Sequence, residues 1–184
     1  MMSRQLRTTD ATTVRRLPDR ASTDREEAYA ILDEGLVCHI GFLAADDRPV
    51  VIPTTYARRG DELLLHGSPA SRLLRSLKNG VDLCVTVTLV DGLVLAKSAF
   101  HHSMNYRSVV VLGRAVAITD EADKHAALEA LVEHIVPGRT ADARGPSVQE
   151  IKGTLVLSLP IDEASVKRRT GGPLDDAGDL ELPV

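Results

Sequence analysis

From Leu36 to Ile161 the chain reads as seven β-rich runs: "LVCHIGFL", "PVVIPTTYA", "ELLLHG", "VDLCVTVTLV", "GLVLAKSAF", "YRSVVVLGRAVAI" and "GTLVLSLPI". Most are separated by short turn signals. That succession constrains the fold most, because short connections join antiparallel strands whereas parallel strands need long crossovers. Asp46-Asp47-Arg48-Pro49, Arg59-Gly60-Asp61 and Asp91-Gly92 are expected as the hairpin turns, the last being the strongest short hairpin signal. Seven strands linked this way, with little helix between them, imply a mostly β protein closed or nearly closed into a barrel. Closure removes the open edges on which strands of other chains would pair.

Three helices interrupt or precede the strands. Thr23-Asp24-Arg25-Glu26 fits a capping box, with Ala28, Ile31 and Leu32 on one face and Gly35 as the stop. In "SPASRLLRSLKNG", Ser68 is expected at the N-cap, Pro69 at the first helical position and Gly80 at the end. "TDEADKHAALEALVEHIVPG" sets Leu128, Leu131, Val132, Ile135 and Val136 on one stripe before Pro137-Gly138 ends it. Residues 1–21 are polar and read as a flexible arm, 22–170 as one domain, and 171–184 as a polar tail. Arg139 to Pro146 reads as a loop, and everything after Pro160 as charged tail.

The net charge of -4 argues against sequence-independent nucleic-acid binding, which needs a basic surface. Aromatics are only 3%, so aliphatic side chains must fill the core. Cys38 and Cys84 lie in apolar runs with no metal or redox spacing and read as buried thiols. No run approaches the ~18 apolar residues of a membrane span, and the N-terminus has no apolar signal core. The expected address is cytoplasmic, with neither a membrane nor a nucleic acid as partner. Adjacent His101 and His102 face opposite ways on a strand and cannot share a metal. His125 and His134 look solvated, and His39 reads as a hydrogen-bonded core residue. No metal site is expected.

Three stretches carry hydrogen-bonding chemistry beyond what a barrel needs. In "LLLHGSPASR" a strand ends at His66 and a helix starts near Ser68, with Ser71, Arg72 and Arg75 on its first turns. This suits a phosphate, and an ordinary capped helix with solvated arginines suits the same residues. In "HHSMNYRSVVVLG", Ser103, Asn105 and Arg107 alternate with Met104, Tyr106 and Ser108 ahead of an apolar run. Arg107 there either meets an anion or snorkels at the rim. In "VVIPTTYA", Pro53 cannot donate to a ladder and marks an edge, a bulge or a ligand contact.

Together, "PVVIPTTYA", "ELLLHGSPASRLLRSL", "CVTVTLVDGLVL" and "FHHSMNYRSVVVLGRAVAI" resemble the pyridoxamine 5′-phosphate oxidase-like, FMN-binding split-barrel superfamily. The similarity is to its flavin-nucleotide-binding branch, which includes the nitroimidazole-resistance reductases. It covers roughly residues 20 to 170, and its sharpest motifs are H-G-S-x-x-S-R and S-M-N-Y-R-S-V. The resemblance implies an antiparallel six- to seven-stranded split β-barrel and a homodimer, with FMN in clefts between protomers. It implies that Ser68, Ser71, Arg72 and Arg107 hold the FMN phosphate or ribityl chain, beside Asn105, Tyr106 and Ser108. It sets Ile52, Pro53, Thr54 and Thr55 along the isoalloxazine. It puts His66 near the flavin, where it orients a substrate or donates a proton.

The activity implied is electron transfer from NAD(P)H through FMN to a small-molecule acceptor. Pyridoxamine phosphate oxidation itself is not expected, because the basic substrate-phosphate cluster and C-terminal Arg/His pattern of those enzymes are missing. Members of this branch continue past "LPV" into a Trp-containing segment, so the tail is expected to be incomplete. Two alternatives stay open: a flavin-binding protein without turnover, and the same fold holding deazaflavin F420 or haem. For haem, His39, His101 and His102 are the axial ligands to consider.

Overall fold

In the computed structural model, which describes residues 4–78 and 80–183, burial alternates along the first long strand. Cys38, Ile40 and Phe42 are buried while Val37, His39 and Leu43 face outward, the pattern of a strand with one face on a core. This strand, β2 (Val37–Leu43), follows a two-residue strand β1 (Ala21–Ser22) and helix α1 (Arg25–Glu34). Then come β3 (Pro49–Thr55), β4 (Ala57–Arg59), β5 (Glu62–Gly67), α2 (Arg72–Lys78), β6 (Leu83–Val94), β7 (Ser103–Gly113) and β8 (Val116–Ala117). Helices α3 (Glu121–Ile135), α4 (Arg139–Asp142) and α5 (Val148–Gly153) precede the last strands, β9 (Leu155–Pro160) and β10 (Glu163–Arg169).

The strands form two antiparallel sheets, ordered β1-β10-β7-β6-β2-β3 and β4-β5-β9-β8, which together make a split barrel. Only Tyr56 separates β3 from β4, so the chain passes from one sheet to the other within a residue. Tyr56 is fully buried and donates its hydroxyl to the Leu32 carbonyl at 2.6 Å, which fixes that crossing against α1. The main core lies between the sheets: Ile40, Val85, Val87, Val109, Val111 and Val166 from one, Leu63, Leu65, Leu157 and Leu159 from the other. The smaller sheet is buried on both faces. Leu64 and Val156, on its far side, pack with Ala57, Ala127 and Leu131 under α3.

Several sequence expectations are corrected. Asp91-Gly92 is no hairpin turn: β6 runs straight through it with a bulge between Val90 and Gly92, and pairing with β7 continues to Val94↔Ser103. A turn there would need positive φ, and Gly92 does not adopt it. Gly60, at φ 59°, does make the tight β4–β5 turn. The run after Pro160 is a strand, because Ala164, Ser165 and Val166 are buried against β7. The cap of α1 is Asp24, whose side chain accepts from the Glu27 N–H at 3.1 Å, in place of a box from Thr23. The segment read as a loop, Arg139 to Pro146, opens with the short helix α4, and just past it Ser147 and Glu150 form an unexpected capping box on α5.

Leu6 is buried in the main core, and Arg7 pairs with Glu163 at 2.7 Å, so residues of the N-terminal stretch lie along β10. Cys38 is buried, which pushes its thiol up to about 12, but Cys84 is only half-buried. His39 faces outward instead of into the core. His134 is not solvated: its Nε2 meets the Gly35 carbonyl at 2.7 Å and its ring lies 5.1 Å from that of Tyr56.

Candidate functional site: a hydroxyl turn, an arginine clasp and a buried imidazole

After β5 the chain turns before it coils. The Ser71 N–H donates to the Ser68 carbonyl at 2.9 Å, and the Ala70 N–H to the Ser68 hydroxyl at 3.2 Å. Helix α2 therefore begins at Arg72, not at Pro69, and Ser68 closes a turn in place of capping a helix. Pro69 leaves no N–H to the turn, which favours this compact form. Arg72 then projects from the first helical position toward the β2–β3 hairpin. It lines a concavity of about 570 Å³ with Asp46, Arg48, Pro49 and Val50. Arg48 is committed to Asp46 at 2.6 Å, and the Arg72 charge helps hold that carboxyl below its usual range, behind the Arg48 hydrogen bond. Arg72 itself forms no hydrogen bond or ion pair with the described residues. The turn thus offers two hydroxyls and an uncommitted guanidinium beside the start of β3.

β3 is the edge of its sheet, so half of its backbone groups have no ladder partner. Pro53 sits there, opposite His39, as a proline in a sheet must. Ile52, Thr54 and Thr55 are half-buried and Pro53 is exposed. Of the Ser68–Arg72 turn, Arg72 borders the start of this edge, at Pro49 and Val50.

Arg107 lies elsewhere and is fully engaged. Its guanidinium meets Glu34 at 2.6 and 2.9 Å and Asp91 at 2.6, 3.0 and 3.2 Å. That clasp joins the end of α1 to the β6 bulge. It keeps both carboxyls below their ordinary range through charge-assisted hydrogen bonds, and holds the arginine firmly charged. A phosphate at Arg107 would have to displace one of the carboxylates. Ser108 is likewise occupied, donating to the Lys167 carbonyl at 3.1 Å.

Asn105 and Tyr106 stand at the same end of β7, where sequence reading missed a partner. Arg169 is 7% exposed, yet among the described residues it has no carboxylate. It donates to Asn105 Oδ1 at 2.6 Å and to the carbonyls of Gly171 and Gly172 at 3.2 and 3.0 Å. A buried guanidinium compensated by neutral acceptors alone is costly unless an anion arrives. The signal was present in "KRRTGGP", read as charged tail. This group and the Arg72 turn do not meet within one chain. The row Val110–Thr86–His39–Pro53 separates β7 from β3 by three strand spacings, about 14 Å.

His66 faces a third place. Leu63 and Leu65 point into the barrel, so Leu64 and His66 point to the other side of the sheet, under α3. Its ring borders a cavity of about 380 Å³ with Leu128, Leu131, Val132 and Ile135. Among the described residues its Nδ1 has no hydrogen-bond partner and is sealed from solvent, and burial lowers the imidazole's pKa below 6.5. Of the α3 stripe only Leu131 is fully buried, and Val132, Ile135 and Val136 stay partly exposed around this opening. The other histidines differ. His101 is 3.2 Å from Asp176, and His102 Nδ1 accepts the Ala96 N–H at 3.1 Å. Among the described residues no three His, Cys, Asp or Glu side chains gather as a metal site, and no helix is long and apolar enough to cross a membrane.

Comparison with known proteins fits this geometry. The family model for pyridoxamine 5′-phosphate oxidase matches residues 24–168. Among solved structures, the flavocytochrome Anf3 from Azotobacter vinelandii is 44% identical, with a TM-score of 0.87 over 96% of this chain and 81% of that one. An FAD and haem binding protein from Mycobacterium smegmatis is 36% identical, with a TM-score of 0.84 over 90% of this chain and 80% of that one. A candidate 5-nitroimidazole antibiotic resistance protein from Bacteroides thetaiotaomicron, 24% identical, shares the fold (TM-score 0.68, covering 80% of this chain and 86% of that one). No curated protein matches.

Proposed function

Because the chain belongs to the pyridoxamine 5′-phosphate oxidase family, we propose that it is a flavin-dependent oxidoreductase taking electrons from NAD(P)H and passing them to a small acceptor. The observation that carries this reading is Arg72, a cation that makes no hydrogen bond or ion pair with the described residues, at the turn that holds the Ser68 and Ser71 hydroxyls. A flavin phosphate supplies the charge that turn lacks, and charge-assisted hydrogen bonds are the strong ones. Ile52 to Thr55 then lie alongside, where open-edge backbone groups of β3 face the ring's polar edge. The flavin supplies two-electron chemistry when bound, and the chain's part is to orient it and set its field. FMN is the form proposed. The 36% identical relative is described as binding FAD, and the shared requirement is the phosphate.

The same reading makes the protein a homodimer. Val37, Leu43 and Val51 are exposed on the outer face of the larger sheet, and Leu93, Leu95 and Phe100 stand out near the β6–β7 turn, Phe100 at 91%. Apolar surface of this kind marks a partner, and a second copy would bring the Asn105–Arg169 group against the Arg72 turn across a two-fold axis. Purified protein should be yellow, release a flavin identifiable by chromatography, bleach with NAD(P)H and run as a dimer. Protein that neither carries nor takes up flavin contradicts the proposal. Val51→Glu should shift the dimer to monomer and lower flavin occupancy with it.

A further inference from the structure

The family resemblance gives a proton-donating role to His66, but that side chain lies under α3, on the far side of the smaller sheet. The histidine that shares a face with β3 is His39. β2 sends Cys38 and Ile40 into the core, so His39 stands exposed on the outer face of the larger sheet. It lies directly opposite Pro53 on β3 and Thr86 on β6. Residues opposed in this way have their Cβ atoms about 4.5–5.5 Å apart. Diagonally across stand Val51 and Thr55 on one side and Cys84 and Thr88 on the other. None of these neighbours is charged. The titratable one is Cys84, whose Sγ lies 3.8 Å from the Thr86 hydroxyl. His39 itself makes no hydrogen bond or ion pair with the described residues. An imidazole in the middle of a central strand, pointing out of the core, contributes nothing to the barrel's packing.

We propose that His39 is the acid that protonates the electron acceptor. The inference rests on the flavin reading, which sets Pro53 and its neighbours on β3 along the ring. His39 then stands one strand spacing, about 4.8 Å, inside the strand that carries the ring. In the proposed reaction NAD(P)H becomes NAD(P)+ and the acceptor becomes its dihydro form. The hydride accounts for two electrons and one proton, so one further proton must be supplied. His39, as imidazolium, donates it from a ring nitrogen to the acceptor and takes a replacement from water. Histidine suits the task because its ordinary charge change falls between about pH 5 and 8. The acceptor class that follows is one whose two-electron reduction takes up protons, such as a quinone. An acceptor that takes electrons alone has no use for His39.

The test compares reduction of benzoquinone, which takes up protons, with that of ferricyanide, which takes up none, in flavin-loaded wild type and His39→Gln. The ratio of the benzoquinone to the ferricyanide rate should fall about 100-fold in the variant, and added free imidazole should restore part of it. In wild type the ratio should decline as pH rises through the imidazole range, because the acid form does the work; in the variant it should be flat. A second readout needs no turnover: the imidazole nitrogen–proton NMR signal that His39→Gln lacks should shift when flavin is added to the wild-type apoprotein. His39 is exposed, so the variant should melt as wild type does. A wild type that takes up no flavin would defeat the flavin reading and this inference with it. Flavin uptake with an unmoved His39 signal, or an unaltered rate ratio in His39→Gln, would overturn the inference and leave the flavin reading standing.

Discussion

Arg72 and Arg107 read alike in sequence, each a guanidinium placed among hydroxyls beside an apolar run, yet the fold treats them in opposite ways. Arg107 is locked between Glu34 and Asp91, while Arg72 makes no ion pair with the described residues and faces a concavity. The difference lies in what the topology delivers. Glu34 ends a helix 73 residues before Arg107, and Asp91 reaches it only because β6 bulges where a turn was expected. A saturated arginine is a strut, and an unsatisfied one is a binding group. The first ties α1 to the sheet, and the second is the one proposed to take the flavin phosphate.

Breaking each arginine separately sharpens that contrast. Arg72→Ala should weaken flavin binding by about 1.5–3 kcal/mol, the cost of a lost charge-assisted hydrogen bond, or about 10- to 100-fold. Its melting temperature should stay at the wild-type value, and fluorescence titration with calorimetry reads both. Arg107→Leu should do the reverse, lowering the melting temperature while flavin affinity changes little. Equal losses of affinity in both variants would erase the distinction.

Smaller effects follow. Ser71→Ala should lose about 1 kcal/mol of flavin affinity, as a neutral hydroxyl contact does. The clasp should also show in acid. Glu34 and Asp91 have folded-state values below their ordinary 4.5 and 3.8. Their contribution is therefore complete above the ordinary range and is lost as pH falls through the lowered values. Melting curves of wild type and Arg107→Leu should stay apart at pH 7 and draw together only as pH falls below the ordinary 3.8 of Asp91 and on through the lowered values. A gap unchanged by acid would mean the ion pairs add nothing. High salt should narrow the gap at neutral pH, since the pairs are partly exposed.

Much of the barrel is legible in local sequence because burial alternates with the strand period: Cys38, Ile40 and Phe42 announce β2 without any partner in view. β10 is not legible, because Glu163-Ala164-Ser165-Val166-Lys167 has too little apolar surface to announce a strand. Only the neighbouring β7 makes it one. Asp91-Gly92 misleads for a related reason, since a dipeptide that permits a turn also permits a bulge, and pairing with β7 on to Ser103 decides between them. At the site, the H-G-S-x-x-S-R stretch brings Ser68, Ser71 and Arg72 together as expected from their closeness in the chain. The residues set by long-range partners escape local reading: Arg107 meets carboxylates, Arg169 is buried beside Asn105, and His66 takes the α3 face because β5 is covered on both sides.

The most direct measurement compares FMN with riboflavin, which differ by the phosphate alone, in wild type, Arg72→Ala and Arg107→Leu. A phosphate held at the Ser68–Arg72 turn predicts that wild type and Arg107→Leu strongly prefer FMN, and that Arg72→Ala loses most of that preference. An undiminished preference in Arg72→Ala, or its loss in Arg107→Leu, would contradict the account.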